Sequence, residues 1–195
     1  GGGRRGGLSL SKAAPTRNQP TGGRIVDWSH IAFSYVIHFY FNQGDASPLL
    51  DLLRRYERYD PRLLDRIHFV IVDDGSPIKV DPPDMDLNFT WLRITEDIPW
   101  NQGGARNLAA VYAKSDSVLL SDLDIAFPEE TLRAIAEAPP CGRDFYKFYM
   151  KDERTGILQK GHANTFLISR ARFLRFGGYD EEFCGRYGAE DFRFV

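Results

Sequence analysis

Two pairs of aspartates in this sequence each follow a run of apolar residues, and both pairs could do chemistry. Asp122 and Asp124 are separated by one residue, so on an extended chain their carboxylates point the same way and can converge on one hard divalent cation. Asp73 and Asp74 follow the apolar run 67–72, where a turn or a helix cap is the alternative explanation. Carboxylates at buried strand ends are costly unless they are neutralised. The two pairs therefore predict one acidic cleft that holds a divalent metal ion.

The elements that must position these carboxylates alternate along the chain. Hydrophobic periodicity predicts strands at 31–41, 67–72, 87–94 and 117–120, and helices at 47–59, 101–114 and 128–138. Ser47 is the expected N-cap of the first helix, with Pro48 at the first helical position. Such alternation predicts an α/β fold whose central sheet is mixed but mostly parallel, with helices on both faces and ligands beyond the carboxyl ends of the strands.

The two ends of the chain have a different character. Residues 1–28 are rich in Gly and Arg and predict a flexible leader, so a single domain is expected at 29–195. Its halves are expected at about 31–127 and 128–195, and we expect the chain to be truncated at its C-terminal end. In the second half, strands are expected at 145–150 and 165–168, around a polar turn at 152–156.

Composition excludes several classes of protein. The chain has 195 residues, of which 43% are apolar, and a net charge of −2 without a basic patch for nucleic acid or an anionic membrane. Its two cysteines, Cys141 and Cys184, are too few for a disulfide framework or a zinc cluster of paired thiols. The apolar runs are too short to cross a bilayer, so no membrane contact is expected from this segment itself. A glycosylation sequon at Asn88 leaves both the cytoplasm and the Golgi lumen open, the latter with a membrane anchor outside this chain.

Four ordered blocks between Ser34 and Asp191 resemble the inverting family 2 glycosyltransferases of the GT-A fold. The blocks are FVIVDDGS at 69–76, NQGGARN at 101–107, LSDLD at 120–124, and FGGYDEEF at 176–183 followed by GAED at 188–191. Any one block is a weak signal, but their order and spacing are specific and span most of the chain. Relatives often have Pro before the turn after the first strand, where this chain has His38 and Phe39.

The resemblance implies a GT-A fold that binds a nucleotide-sugar, with a UDP-sugar as the expected donor. Asp73 or Asp74 would accept a hydrogen bond from the base ring, and Phe41 or Tyr40 would pack near that ring. Arg106 would help to fix the base. The first half of the chain would then bind the nucleotide.

The resemblance places the phosphates and the metal at the remaining blocks. Gly103 would let the backbone at the start of the second long helix approach the ligand closely, and Asn107 belongs to the same donor-binding block. Asp122 would face the ribose or the metal. Asp124 would be the main protein ligand of Mn²⁺ or Mg²⁺, which bridges the two phosphates.

The acceptor side is expected in the second half of the chain. The resemblance makes Asp191 the general base that takes the proton from the attacking hydroxyl, with Glu190 holding an acceptor hydroxyl or orienting Asp191. His162 could bind a phosphate or the metal, although a surface or core role is favoured for a lone histidine. Three aromatic residues could stack on sugars but are expected in the core: Tyr146, Phe148 and Tyr149.

These features together predict a metal-dependent inverting transferase of hexosyl groups. The sugar would pass from a nucleotide diphosphate donor to the hydroxyl group of a glycan or another acceptor, as in polysaccharide biosynthesis. A nucleotidyltransferase would need a basic, glycine-rich loop after the first strand, which residues 42–45 do not supply. The alternative function is a catalytically silent carbohydrate-binding or interaction domain of the same fold.

Overall fold

A computed structural model describes residues 27–42, 45–152 and 154–185. The strands in these ranges are β1 Phe33–Phe39, β2 Ile67–Asp73, β3 Phe89–Arg93, β4 Ser117–Ser121, β5 Phe145–Lys147, β6 Tyr149–Lys151, β7 Leu158–Lys160 and β8 Phe166–Ser169. The helices are α1 Ser47–Glu57, α2 Pro61–Leu64, α3 Gln102–Tyr112, α4 Glu129–Glu137 and α5 Arg170–Arg175, followed by a 3₁₀ turn at Glu181–Phe183. Among the helices of these ranges, none is both long and apolar enough to cross a bilayer.

The main sheet has six strands in the order β3-β2-β1-β4-β8-β5. The first four of these run parallel to one another, whereas β8 is antiparallel to both β4 and β5. The register places Phe39 opposite Asp73 and Ile37 opposite Ser121, so β1, β2 and β4 end at the same edge of the sheet. The predicted α/β fold with a mostly parallel sheet is therefore confirmed.

Both faces of the sheet are covered, because alternate side chains of β1 are buried in two different clusters. Tyr35, Ile37 and Phe39 pack with residues of α1, α2 and α4 on one face. Val36 packs on the other face with residues of α3 and α5. Burying a large apolar side chain contributes roughly 1.5–3 kcal/mol, so this double coverage holds β1 firmly in place. The residues at the carboxyl end of β1 are consequently held in a fixed position.

The first helix begins one residue earlier than the cap pattern predicts. Ala46, not Ser47, is the N-cap residue, and the Ser47 N–H group donates to Asp45 Oδ1 at 2.8 Å. The missing N–H group of Pro48 costs nothing in the first helical turn. The predicted apolar face of α1 is confirmed by its buried residues, which are Leu49, Leu52, Leu53 and Tyr56.

The second half of the chain departs from the predicted strands. The predicted strand 145–150 is divided, since β5 joins the main sheet beside β8 whereas β6 pairs with β7 in a separate hairpin. The polar turn therefore joins β6 to β7, and the predicted partner strand at 165–168 pairs with β4 and β5. The break falls at Phe148, whose ring packs against that of Phe127 with centroids 5.1 Å apart.

The three aromatic residues near this break have different environments. Phe148 packs against the core, as predicted. Tyr146 and Tyr149 are exposed, with 44% and 74% of their surfaces accessible, so the prediction of a core position is wrong for both. Tyr149 lies in the separate hairpin, where the residues of β6 and β7 are exposed along their whole length. Tyr146 lies in β5, which is the last strand of the main sheet and is mostly exposed.

Candidate functional site

A cavity of about 560 Å³ lies at the edge where β1, β2 and β4 end. This volume suits a small organic ligand, and the position follows the rule that ligands of parallel sheets bind beyond the carboxyl ends of the strands. The walls come from three strand ends and from the segment that leads into α3, namely His38, Phe39, Tyr40, Asn42, Asp74, Asp97, Ile98, Pro99, Trp100, Asn101, Gln102, Asp122 and Leu123.

Asp74 is the carboxylate that β2 delivers to this cavity. It is only 6% exposed, and Asn101 Nδ2 donates to its Oδ1 at 2.7 Å. Its second carboxylate oxygen accepts no hydrogen bond from the part of the chain that the structure describes. Burial raises the pKa of Asp74 to about 7. The hydrogen bond from Asn101 lowers this pKa, whereas the nearby negative charges of Asp73 and Asp97 raise it further. Asp74 can therefore bind a polar group of a ligand in either protonation state.

The neighbouring Asp73 has a structural role instead. Its fully buried carboxylate accepts hydrogen bonds from Arg93 Nη1 and from the Ser76 N–H group, both at 2.8 Å. Burial raises its pKa, while the hydrogen bonds from Ser76 and the charge of Arg93 oppose that effect. Asp73 does not line the cavity, so the turn explanation fits Asp73, and Asp74 is the member of the pair that can meet a ligand.

The aromatic residue that can pack on a ligand ring is Tyr40 rather than Phe41. The Phe41 ring stacks on Phe39 with centroids 4.9 Å apart, and its N–H group donates to Ser76 Oγ at 2.9 Å. Tyr40 lines the cavity with 43% of its surface exposed, and its hydroxyl donates to Asp97 Oδ2 at 3.4 Å. The prediction that Phe41 contacts the donor is thus not supported by its position.

Arg106 lies beneath the cavity and does not line it. Its side chain is fully buried, with Nη2 donating to Asp122 Oδ1 at 2.5 Å and Nη1 donating to the Tyr179 hydroxyl at 2.8 Å. Gln102 Nε2 approaches the same Asp122 oxygen at 3.4 Å. The position of Arg106 does not support the prediction that it fixes the base, because its guanidinium donates to protein groups and orients the Asp122 carboxylate.

The chain turns between Asp122 and Asp124. β4 ends at Ser121, and the Ile125 N–H group donates to the Asp122 carbonyl oxygen at 3.2 Å. The predicted extended geometry of this pair is therefore wrong. Asp122 Oδ2 lies 3.1 Å from His162 Nδ1, whereas the exposed Asp124 carboxylate has no hydrogen bond or ion pair with any described residue.

Asp122 and Asp124 can hold a metal ion only if a bound molecule supplies further oxygen atoms to it. The described ranges contain no group of three or more His, Cys, Asp and Glu residues that could hold a metal ion. Magnesium-like cations are commonly bound by one or two carboxylates while substrate phosphates and water complete the coordination. Both oxygens of Asp122 lie next to protein groups, Oδ1 next to Arg106 and Oδ2 next to His162, so the exposed Asp124 is the better ligand. The donor set therefore fits a cation shared with a phosphorylated ligand.

Gly103 and Asn107 contact other parts of the protein rather than the cavity. A Cβ atom on Gly103 would lie 3.0 Å from Tyr179 Cβ, so packing within the protein explains this glycine. Asn107 Oδ1 accepts from the Tyr179 N–H group and its Nδ2 donates to the Tyr179 carbonyl oxygen, both at 2.8 Å. These positions do not support the prediction that the two residues bind the donor, because they hold the segment around Tyr179 against α3.

Several cavity residues were missed by sequence reasoning. No role was predicted for His38, Asp97, Trp100 or Gln102, all of which line the cavity. A usable signal existed, because polar residues just beyond the carboxyl ends of parallel strands, or in the loop before the next helix, lie at the ligand edge of such a sheet. The predicted catalytic pair, Glu190 and Asp191, lies outside the described residues.

The architecture of the sheet and its helices defines an α/β domain with the GT-A fold. One solved structure with this fold is the mannosyltransferase PcManGT from Pyrobaculum calidifontis in complex with GDP-Man and Mn²⁺, with a TM-score of 0.55 and 20% identity over 91% of this chain and 53% of that chain. Another is S. aureus TarS 1–349 in complex with UDP, with a TM-score of 0.61 and 22% identity over 82% of this chain and 52% of that chain. At these identities the likeness establishes the fold alone.

The chain spans about half the length of these solved structures. No protein-family model matches its sequence. No curated protein matches it either.

Proposed function

We propose that this chain is the catalytic domain of a metal-dependent inverting glycosyltransferase, similar to family 2, that transfers a hexosyl group from a UDP-sugar to a hydroxyl group of a glycan. The observation that carries the proposal is the cavity at the strand ends, which joins Asp74 on one side to Asp122 on the other. Two solved proteins of the same fold support it, since one is a mannosyltransferase in complex with GDP-Man and Mn²⁺ and the other is in complex with UDP.

The base of the nucleotide would occupy the side of the cavity formed by Tyr40, Asp74 and Trp100. A ring N–H group of uracil is a suitable donor to the second oxygen of Asp74, which is otherwise without a hydrogen bond among the described residues. The exposed rings of Tyr40 and Trp100 offer flat apolar surfaces for the base. Asn101 would orient Asp74 through its hydrogen bond to Oδ1.

The diphosphate would lie on the side of the cavity formed by Asp122. Asp124 and Asp122 would hold Mn²⁺ or Mg²⁺, with Asp124 as the principal ligand because Asp122 is paired with Arg106. A bound divalent cation stabilises the negative charge that develops on the departing nucleotide diphosphate. The buried Arg106 keeps the Asp122 carboxylate in one orientation, ready for ribose or metal.

The acceptor reaction would be a single displacement at the sugar carbon. Asp191 would take the proton from the attacking hydroxyl as general base, and Glu190 would hold an acceptor hydroxyl or orient Asp191. Attack from the side opposite the leaving diphosphate inverts the configuration of that carbon, and no covalent intermediate with the protein is needed. The configuration of the product, observed by NMR of its anomeric proton, distinguishes inversion from retention.

The first test is calorimetric binding of UDP to the 195-residue chain with and without Mn²⁺. We expect Mn²⁺ to tighten UDP binding by about tenfold or more, and Asp124→Ala to abolish this gain. Asp84→Ala is the matched control, since Asp84 is exposed and does not line the cavity. If neither UDP nor GDP binds the folded chain, the donor assignment is wrong and a catalytically silent domain of this fold is indicated.

A further inference from the structure

His38 lies in the middle of the cavity, between the two acidic strand ends. It belongs to the last part of β1, where it is opposite Val72 of β2. In the sheet, β1 lies between β2, which leads to Asp74, and β4, which leads to Asp122. His38 is therefore placed between the subsite proposed for the base and the subsite proposed for the diphosphate.

The imidazole of His38 is neutral in this position. Burial, followed by the positive charge of Arg106, holds the pKa of His38 well below its usual value. The Nδ1 atom is buried and has no hydrogen-bond partner among the described residues. Protonation of both ring nitrogens would bury an N–H group without an acceptor, which adds to the cost of the charge.

The unpaired Nδ1 atom also selects one of the two neutral forms of the ring. A neutral imidazole carries its proton on either Nδ1 or Nε2, and the other nitrogen is an acceptor. Buried backbone N–H groups without an acceptor are rarer than carbonyl groups without a donor, and by the same reasoning the unpaired Nδ1 atom favours the form with the proton on Nε2. This leaves His38 with one N–H group that can serve a ligand in the cavity.

We propose that His38 is a specificity-determining residue whose Nε2–H group donates a hydrogen bond to a ribose hydroxyl oxygen of the bound nucleotide. The inference rests on the proposed nucleotide site and deepens it. The strand order places His38 where the sugar must bridge base and diphosphate, and a neutral N–H donor matches an uncharged hydroxyl oxygen. The site consequently selects ribonucleotides over deoxyribonucleotides.

The test compares UDP with 2′-deoxy-UDP and 3′-deoxy-UDP in calorimetry at saturating Mn²⁺. For the wild-type chain we expect one deoxy analogue to bind about two- to tenfold more weakly than UDP, the effect of one lost hydrogen bond. His38→Phe, which keeps a ring but has no donor, removes this difference, whereas His38→Gln, which keeps an N–H donor, retains part of it. Equal deoxy penalties in wild type and His38→Phe would overturn the proposal, while absence of all UDP binding would overturn the nucleotide site itself.

A second measurement needs no variant and no ligand. Long-range ¹H–¹⁵N correlation spectra of the wild-type chain report which nitrogen of each histidine carries the proton. We expect the His38 signals of a neutral ring protonated at Nε2. A proton on Nδ1, or a charged ring at neutral pH, contradicts the proposed donor.

Discussion

Adjacent residues with the same side chain have opposite roles in this molecule. Asp73 is surrounded by donors from Ser76 and Arg93, and it closes the turn after β2. Asp74 receives one hydrogen bond, from Asn101, and is directed into the cavity. The pKa of Asp74 is therefore raised to about 7 by burial without a cation to offset it, which is typical of functional sites.

The raised pKa of Asp74 predicts how nucleotide binding depends on pH. An N–H donor of the base prefers the ionised carboxylate, so UDP affinity should rise as pH increases through about 7 and then become constant. Well below that pKa, the affinity should reach a lower constant value, about tenfold weaker, because only one hydrogen bond to a charged group is weakened. Calorimetry between about pH 5.5 and pH 8 at saturating Mn²⁺ measures this profile. Asp74→Asn should remove the dependence, and a profile that persists in the variant would assign it to another group.

The raised pKa of Asp74 also predicts how the free energy of unfolding depends on pH. A carboxyl whose folded-state pKa is raised gives its full contribution to stability below its ordinary pKa and loses it as pH rises through about 7. Asp74→Asn removes this ionisation and keeps an oxygen that can accept from Asn101. We expect the variant to be more stable than wild type by roughly 1–3 kcal/mol at about pH 8 and nearly equal to it at about pH 4.5. Urea denaturation measures both values, and an equal difference at the two pH values would contradict the prediction.

At the scale of elements, α3 connects the cavity to the segment that follows α5. Gln102 and Arg106, one turn apart, both reach Asp122 Oδ1. Gly103 and Asn107, also one turn apart on the neighbouring stripe of the helix, contact Tyr179. The four-residue spacing puts each pair on one face of α3. A single helix therefore positions both Asp122, at the end of β4, and Tyr179, in the segment after α5.

This arrangement predicts that Asn107→Ala loosens one side of α3 without altering the nucleotide site. The substitution removes two hydrogen bonds to the Tyr179 backbone and one to Glu181 Oε1. We expect a loss of roughly 1–3 kcal/mol in the free energy of unfolding and faster amide exchange at Tyr179. UDP affinity should stay within about twofold of wild type, because Asn107 does not line the cavity. Hydrogen exchange with mass spectrometry tests this, and unchanged exchange around Tyr179 would contradict it.

Periodicity was sufficient to predict the long elements but not the short ones. The β1, β2 and β4 strands and the α1, α3 and α4 helices were expected within a few residues of their observed bounds, because each has a strong apolar pattern. The four-residue helix α2 and the division between β5 and β6 were not predicted, because stretches of three or four residues are too short to show a hydrophobic repeat.

For the candidate site, the sequence predicted which strand ends line the cavity but not the roles of individual side chains. Strand ends correctly indicated Asp74 and Asp122 as cavity residues. The roles of Arg106 and Asn107 could not be derived from the sequence, since they depend on contacts with Tyr179, which lies more than 70 residues further along the chain. A charged residue at a helix start looks the same in sequence whether it meets a ligand or another part of the protein.

At the scale of the whole molecule, the cavity lies where the path of the chain across the sheet reverses. From β1 the chain moves outward to β2 and β3, and it then crosses back through α3 to β4 on the other side of β1. The loops that leave β1 and β4 therefore diverge, which opens a crevice between strand ends. His38, Asp74 and Asp122 come from three neighbouring strands of this region, so ligand binding should couple to the stability of the entire sheet.

This coupling predicts a thermal shift on nucleotide binding. A ligand at 100 times its Kd that binds only the folded chain stabilises it by about 2.7 kcal/mol, which corresponds to a rise in Tm of roughly 5–10 °C for a domain of this size. We expect that rise for UDP with Mn²⁺, in wild type and in Asp84→Ala alike, and a much smaller rise in Asp124→Ala at the same concentrations. Differential scanning calorimetry measures it. A calorimetric binding signal without any shift in Tm would mean that UDP binds the unfolded chain equally well, which a cavity built from three strand ends does not allow.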